Sequence, residues 1–219
     1  MSVTGAPDGE PQKVGVALSD IMTGLYGTIG TLAALAERER SGLGQHVDVA
    51  LLDVTLATLS NHAANWVVSG VNPSRLGNAH LSIVPYQSFA TADGHIVIAC
   101  GNDGQFGHLC EVLGLEDLPH DARFASNEAR VVHRGELIDI LQARLLTGTS
   151  GQWLQGLEDR GVPCGPINSV AEAFAQPQTA AREMVVNVPH PENPDLKLVG
   201  SPIKLSRTPV TYDSPPPRL

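Results

Sequence analysis

The chain has 219 residues, of which 42% are hydrophobic, and a formal net charge of −9. This length allows one large domain or two small ones, and the hydrophobic content is typical of a globular protein with a buried core. Acidic residues outnumber basic ones by 23 to 14, and the sequence has no basic cluster. The composition therefore argues against a nucleic-acid partner and against binding to an anionic membrane surface.

The spacing of the cysteines and histidines bears on whether the protein contains disulfides or a metal site. Cys100, Cys110 and Cys164 have no CxxC spacing, which indicates reduced thiols and a cytoplasmic protein, not a disulfide framework or a zinc site. The eight histidines also lack metal-ligand spacing, so no metal site is predicted. No signal-peptide pattern is present, and the most apolar helix, over residues 21–36, is too short to span a membrane.

The first informative stretch is an apolar run at residues 14–18 that ends in Ser19 and Asp20. The run predicts either a short buried strand or the lead-in to a helix over residues 21–40. A carboxylate at a helix N-terminus is favoured by the free backbone N–H groups and by the helix dipole. The simplest interpretation of Asp20 is an N-cap, which is a more common role than catalysis.

Small residues dominate the helix that follows. Gly24, Gly27 and Gly30 recur at three-residue spacing, although each glycine costs a helix roughly 1 kcal/mol relative to alanine. The spacing indicates close packing of another backbone, or contact with a ligand. Residues 45–49 alternate as a strand does. A second helix is predicted over residues 51–68; it is apolar on most faces and is expected to lie buried. Its polar positions are Asp53, Ser60, Asn61, His62 and Asn65.

A turn at residues 69–74 predicts a domain boundary. The next stretch, residues 75–87, is too polar and too broken by Gly and Pro to form a core element. It holds several candidate binding side chains within ten positions: Asn78, His80, Ser82, Tyr86 and Gln87. Tyr86 and Gln87 fit the end of a structural loop equally well. Strands over residues 88–92 and 95–100 around an Asp-Gly turn predict a hairpin.

The remaining elements are shorter. Asn102 or Asp103 is predicted to cap a helix over residues 105–113. Cys164 is expected to pack in a turn rather than to react, and Trp66 and Trp153 are expected in the core. Further helices are predicted over residues 125–132, 133–146, 150–160, 170–174 and 179–183, strands over 184–188 and 196–199, and an extended polyproline tail over 214–219. The residues alone indicate an α/β protein and name no reaction.

Five separated stretches, in the same order, resemble the class III CoA-transferases (the CaiB/BaiF family). They are residues 14–24, 42–49, 77–80, 101–106 and 161–168. The resemblance covers essentially the whole chain and implies part of a Rossmann-like large domain plus a smaller α+β domain, in an interlocked homodimer. It assigns residues 1–72 to the C-terminal part of the large domain, 73–183 to the small domain, and 184–219 to a segment that returns to the large domain.

The resemblance also implies a reaction. In this family the Asp of the first stretch is the nucleophile, and the match falls on Asp20. CoA would move from an acyl-CoA to a carboxylic acid through an aspartyl-CoA thioester, with coenzyme A as a substrate and no separate cofactor. The implied active-site and substrate-binding residues are Asn78, His80, Ser82, Tyr86, Gln87 and Asp103. Residues 80–87 are most similar to members that use succinyl-CoA and dicarboxylic acids such as glutarate.

Two alternatives stay open. The same fold supports α-methylacyl-CoA racemisation, with an acidic residue matching Asp103 near the site, although residues 20–24 have the transferase form. The resemblance also begins in the middle of the family pattern, so the chain is expected to be an internal or C-terminal fragment. The resemblance implies that an N-terminal half with most CoA-binding groups is absent from this chain, which has few Lys and Arg for the CoA phosphates. A non-catalytic remnant or assembly module, completed in trans, is therefore the other alternative.

Overall fold

A computed structural model describes residues 1–214, which contain helices and two small antiparallel sheets. The helices of this part are α1 (Leu18–Ser41), α2 (Leu51–Thr58), α3 (Asn61–Ser69), α4 (Asp103–Leu113), α5 (Asn127–Val132), α6 (Arg134–Leu145), α7 (Ser150–Asp159), α8 (Val170–Ala175) and α9 (Pro177–Ala181). The strands are β1 (Tyr86–Ala90), β2 (His95–Ala99), β3 (Cys164–Pro166), β4 (Val185–Asn187) and β5 (Lys197–Val199). The predicted polyproline tail lies outside the described residues from 215 onward.

The larger sheet is the predicted hairpin with one added strand. β1 pairs with β2 so that Phe89 lies opposite Ile96, and β2 also pairs with β3. The hairpin prediction is confirmed. β3 was missed because three residues containing Gly and Pro carry no strand pattern, and their pairing depends on β2, which lies far away in the sequence.

The hydrophobic core lies between this sheet and helices α4, α6 and α7. Its strand members alternate along β2, as Ile96 and Ile98 do, whereas α6 contributes residues four apart. Trp153 packs against this cluster, as predicted. The fully buried helical members include Leu109, Leu113, Leu137, Leu141, Leu145 and Leu157.

One charged side chain is buried with this core. Arg130 of α5 has 0% exposure and donates from Nε to the Val84 carbonyl at 2.7 Å and from Nη1 to the Phe124 carbonyl at 2.8 Å. Its Nη2 donates to Asp103 Oδ1 at 2.7 Å, and its guanidinium lies 4.4 Å from the centre of the Phe106 ring. Such a charge is tolerated inside a protein because its donors are satisfied.

The N-terminal helices differ from their prediction in two ways. The predicted helix over residues 51–68 is interrupted after α2, and α3 begins only at Asn61, because Ser60 adopts a positive φ of 50°. Residues 45–49 form no strand, since no described segment lies beside them as a hydrogen-bonded partner. Residues 14–17 are an irregular lead-in to α1, the second of the two expected options. At its other end α1 stops at Gly42 in the left-handed conformation.

The predicted burial of the helix over residues 51–68 is wrong for the described part of the chain, and α1 is exposed as well. α1 has no buried residue, α2 buries only Val54, and Trp66 is 51% exposed. A side chain added at Gly24 or Gly27 would meet nothing within 4 Å. An apolar stripe on α1 lies at helical spacing, and no segment of residues 1–214 covers it. Its members are Ile21, Leu25, Ile29 and Leu32.

The C-terminal part forms a second small unit of structure. Strands β4 and β5 pair antiparallel, with Val185 opposite Val199, close to the predicted positions. The division of the chain at residues 72 and 183 stays a prediction. Across residues 1–214, no helix combines the length and the hydrophobicity that crossing a bilayer requires.

We expect the uncovered stripe and the core to respond differently to the same substitution. Leu141→Ala should lower the free energy of unfolding by about 2–5 kcal/mol, since it leaves a cavity. Leu32→Ala should change it by less than about 0.5 kcal/mol, since Leu32 is 61% exposed. Urea denaturation of the two variants checks this. An equal loss in both would show that the stripe is covered in solution.

Arg130 should matter far more to stability than an exposed arginine. Arg130→Ala leaves two buried carbonyl groups without donors and should cost about 3–5 kcal/mol in urea denaturation. Arg130→Lys should recover part of this loss. The control is Arg123→Ala, which removes exposed ion pairs to Asp121 and Glu136 and should cost about 1 kcal/mol or less. Similar losses in the two alanine variants would contradict the assigned role of Arg130.

Candidate active site

Asp20 lies in the first turn of α1, at the third helical position. The N-cap is Ala17, which has no capping side chain, so the interpretation of Asp20 as the N-cap is wrong. The carboxylate is exposed, and within residues 1–214 it makes no side-chain hydrogen bond. The helix dipole still favours its negative charge at this position. The structure therefore presents a free carboxylate at a helix start.

Hydroxyl groups hold the turn that carries Asp20. The Thr55 hydroxyl of α2 and the Ser19 hydroxyl share a hydrogen bond at 2.9 Å, and the Thr23 hydroxyl donates to the Ser19 carbonyl at 2.7 Å. Ser19 precedes Asp20, so these bonds tie the first turn of α1 both to its own next turn and to α2. This restricts where the Asp20 carboxylate can lie.

Asp20 lines a cavity of about 560 Å³ between the start of α1 and the α2–α3 break. Lys13 brings a positive charge to the same cavity, and Asn61 and His62 at the start of α3 bring polar groups. Sequence reasoning did not assign these three residues to the site. The available signal was the pair Asn61-His62, which interrupts an otherwise apolar helix pattern.

A second, smaller cavity of about 290 Å³ adjoins the first. Three of the predicted loop residues line it: Asn78, His80 and Tyr86. Asn61, His62 and Val3 line both cavities and so form their common wall. The structure thus places the predicted polar loop beside the predicted nucleophile.

The loop that lines the smaller cavity has a defined shape. The His80 ring stacks on Tyr86 with ring centres 5.2 Å apart, and the His80 N–H donates to the Tyr86 carbonyl at 2.8 Å. The Ser82 N–H donates to His80 Nδ1 at 3.1 Å, which places the ring proton on Nε2. The Asn78 amide donates to the Ser88 hydroxyl at 2.8 Å. The Val84–Pro85 peptide bond in this loop is cis.

Three side chains of α5 and α6 form hydrogen bonds with the backbone of the loop at residues 81–84. Asn127 accepts from the Val84 N–H at 3.1 Å and donates to the Ser82 carbonyl at 2.9 Å. Arg130 binds the Val84 carbonyl, as described above, and Arg134 Nη2 donates to the Leu81 carbonyl at 2.9 Å. The loop backbone is therefore anchored by side chains on α5 and α6.

The other predicted site residues lie elsewhere. Ser82, Gln87 and Asp103 line neither of the two cavities. Gln87 lies in β1 opposite Ile98, and Asp103 is the first residue of α4, 59% exposed and bonded to Arg130. The cap of α4 is Asn102, whose side chain accepts from the Gln105 N–H at 2.9 Å. The structure therefore places Asp20 on one cavity and Asn78, His80 and Tyr86 on the adjoining one, and leaves the other three predicted residues outside both.

Two buried side-chain nitrogens in the described part of the chain lack a hydrogen-bond partner: His62 Nδ1 and Arg134 Nη1. An unsatisfied buried polar atom is costly and calls for an explanation. Only His62 lines the two cavities. Within residues 1–214 no group of three His, Cys, Asp or Glu side chains is arranged to hold a metal ion.

Known proteins resemble this chain in sequence. A family model described as CoA-transferase family III matches residues 1–219. The chain is 46% identical over 219 residues to a succinate–glutarate CoA-transferase of Agrobacterium fabrum, covering 100% of this chain and 55% of that protein. It is 38% identical over 219 residues to the succinyl-CoA:glutarate CoA-transferase of Homo sapiens, covering 50% of it. The chain thus spans about half the length of the curated relatives it matches.

Solved structures agree with these matches. A CAIB/BAIF family protein from Brucella suis superposes with a TM-score of 0.81 at 46% identity, covering 100% of this chain and 57% of that one. Rv3272 from M. tuberculosis superposes with a TM-score of 0.82 at 26% identity, covering 95% and 55%. The predicted fold class is confirmed. Since the family model extends over every residue, the chain belongs to CoA-transferase family III.

Proposed function

We propose that this chain carries the nucleophile of a CoA-transferase that moves CoA from an acyl-CoA to a carboxylic acid through an aspartyl-CoA thioester. The observation that supports this most directly is the environment of Asp20. Its carboxylate is exposed in the first turn of α1 and lines a cavity of about 560 Å³. A nucleophile needs such an unobstructed position beside space for a substrate.

The proposed reaction has two matched halves. The Asp20 carboxylate attacks the thioester carbonyl of the donor, and CoA leaves as a thiolate, so that a mixed anhydride remains. The thiolate then attacks the Asp20 acyl carbon and displaces the donor acid, which leaves an aspartyl-CoA thioester. The acceptor carboxylate attacks this thioester, and the same steps run in reverse. Asp20 is regenerated, and neither water nor a separate cofactor is consumed.

Each attack creates an oxyanion that must be stabilised. The first hydrogen bond within α1 runs from the Ile21 N–H to the Ala17 carbonyl. The Ser19 and Asp20 N–H groups therefore precede the helical ladder and have no acceptor within the helix. These N–H groups and the Lys13 ammonium are the donors that we assign to the developing negative charge.

The relatives support a dicarboxylic acid as one substrate. Names of the matched proteins include succinate–glutarate, succinyl-CoA:glutarate and succinyl-CoA:mesaconate CoA-transferases. We propose succinyl-CoA as the donor and a dicarboxylic acid as the acceptor. The proposal also includes a homodimer, as the resemblance implies, and a cytoplasmic location, as the unpaired cysteines suggest.

A second candidate is an assembly module that is active only with an N-terminal half supplied in trans. The uncovered apolar stripe on α1 favours this candidate, since such a surface usually contacts another chain. The racemase alternative has less support. Asp103, its acidic candidate, is bonded to Arg130 and does not line the cavity that holds Asp20.

The reaction predicts a covalent adduct on one residue. Incubation of the chain with succinyl-CoA should give an Asp20 adduct by peptide mass spectrometry, and hydroxylamine should remove it. Asp20→Asn should abolish the adduct because the amide is not a nucleophile. The control is Asp53→Asn, since Asp53 is the exposed carboxylate at the same helical position of α2.

The same experiment separates the two candidates. If the adduct forms only after addition of the N-terminal half of the Agrobacterium relative, the assembly module is supported. If it forms with the chain alone, the chain is an enzyme by itself. Absence of an adduct in both cases contradicts the proposed reaction for this chain.

The cysteines should not compete with Asp20 as acyl acceptors. Burial raises the pKa of Cys100 and of Cys110 to about 12, and it also raises the pKa of Cys164. All three thiols are therefore protonated and unreactive at neutral pH. Iodoacetamide at pH 7 should label Cys100 and Cys110 at least about a hundredfold more slowly in the folded chain than in urea. Equal labelling rates would show that these thiols are exposed.

A further inference from the structure

His62 occupies an unusual position in the molecule. It is the second residue of α3, next to the Ser60 backbone break, and it lines both the cavity of Asp20 and the cavity of the polar loop. Its Nδ1 is buried and has no hydrogen-bond partner in the described part of the chain. A ring nitrogen that is buried at a cavity wall without a partner lacks one hydrogen bond, which a bound group can supply.

The chemistry of the smaller cavity indicates what that group is. The chain carries 23 acidic residues, yet none of them lines this cavity. Its polar side chains can donate hydrogen bonds: the Ser74 and Tyr86 hydroxyls, the amides of Asn61 and Asn78, and the rings of His62 and His80. Such a lining favours an anion that accepts several hydrogen bonds. A volume of about 290 Å³ suits a small acid and not the nucleotide part of CoA.

The relative position of the two cavities indicates how a dicarboxylic acid would be oriented between them. In the proposed reaction, the reacting carboxylate must lie in the cavity of Asp20. A dicarboxylic acid that extends past the common wall brings its other carboxylate into the smaller cavity, which His62 lines. A carboxylate that accepts from an imidazole N–H forms a strong hydrogen bond, particularly where water is excluded.

We propose that His62 is a specificity-determining residue whose Nδ1 binds the non-reacting carboxylate of a small dicarboxylic acid, while the other carboxylate lies beside Asp20. The inference rests on the proposed function and adds the group that distinguishes a dicarboxylic from a monocarboxylic acid.

The test observes the imidazole directly in the intact chain. Protein labelled with ¹⁵N-histidine is titrated with glutarate, and the ring nitrogens are followed by long-range ¹H–¹⁵N spectra, with His62 assigned from His62→Gln. The His62 Nδ1 resonance should shift and saturate. His95 is the internal control, because it is exposed at the start of β2 and lines neither cavity.

Two comparisons decide the assignment. Valerate has the same chain length with one carboxylate, and it should shift the His62 Nδ1 resonance at least roughly tenfold less effectively. In His62→Gln, the glutarate titration followed at His80 should saturate at a concentration at least roughly tenfold higher. The proposal is overturned if the His62 resonance does not shift with glutarate, or if valerate shifts it equally well. It is also overturned if His62→Gln leaves the affinity for glutarate unchanged.

The NMR titration and the adduct experiment test the role of His62 and the proposed reaction separately. Adduct formation at Asp20 with succinyl-CoA, but no response of His62 to glutarate, would keep the reaction and reject the role of His62. A saturable, dicarboxylate-selective response without an adduct would keep the binding role of His62 and reject the reaction.

Discussion

A guanidinium group without access to water needs an acceptor for its N–H groups, because the desolvation of a charge costs several kcal/mol. Arg130 finds acceptors in the Val84 and Phe124 carbonyls and in the Asp103 carboxylate. These acceptors come from three separate parts of the chain: the end of the polar loop, the segment before α5, and the start of α4. The polar loop cannot move away without leaving this charge unpaired, so its shape is coupled to the stability of the core.

This coupling explains why a loop rich in polar residues can still form one wall of a binding site. Asn127 and Arg134 hold its carbonyl groups from the same side as Arg130, and the His80–Tyr86 stack shapes its other side. The wall opposite is the N-terminus of α3. The two walls belong to distant parts of the sequence, and together they line one cavity with hydrogen-bond donors, next to the cavity that Asp20 lines. Preorganised donors of this kind need little rearrangement when an anion binds.

Much of this arrangement could be predicted from local sequence, and the remainder has a common physical reason. Periodicity and turn chemistry are local properties, and they account for the hairpin, for the helices of the core and for the end of α1 at Gly42. The pairing of β3, the burial of Arg130 and the contact of His62 with two cavities depend on residues far away in the sequence. The apolar stripe on α1 has the spacing of a helix face that usually packs against another element, but residues 1–214 contain no segment that covers it.

The interruption between α2 and α3 has a consequence for how this site can change. A continuous helix would keep Ser60 in the helical region, whereas its observed φ of 50° is a conformation that a serine adopts only with strain. Successive helical residues turn by about 100° around the axis, so repairing the break would rotate Asn61 and His62 away from the wall that they now form. The strained backbone at Ser60 therefore gives up local stability in exchange for the placement of Asn61 and His62 at the cavity wall.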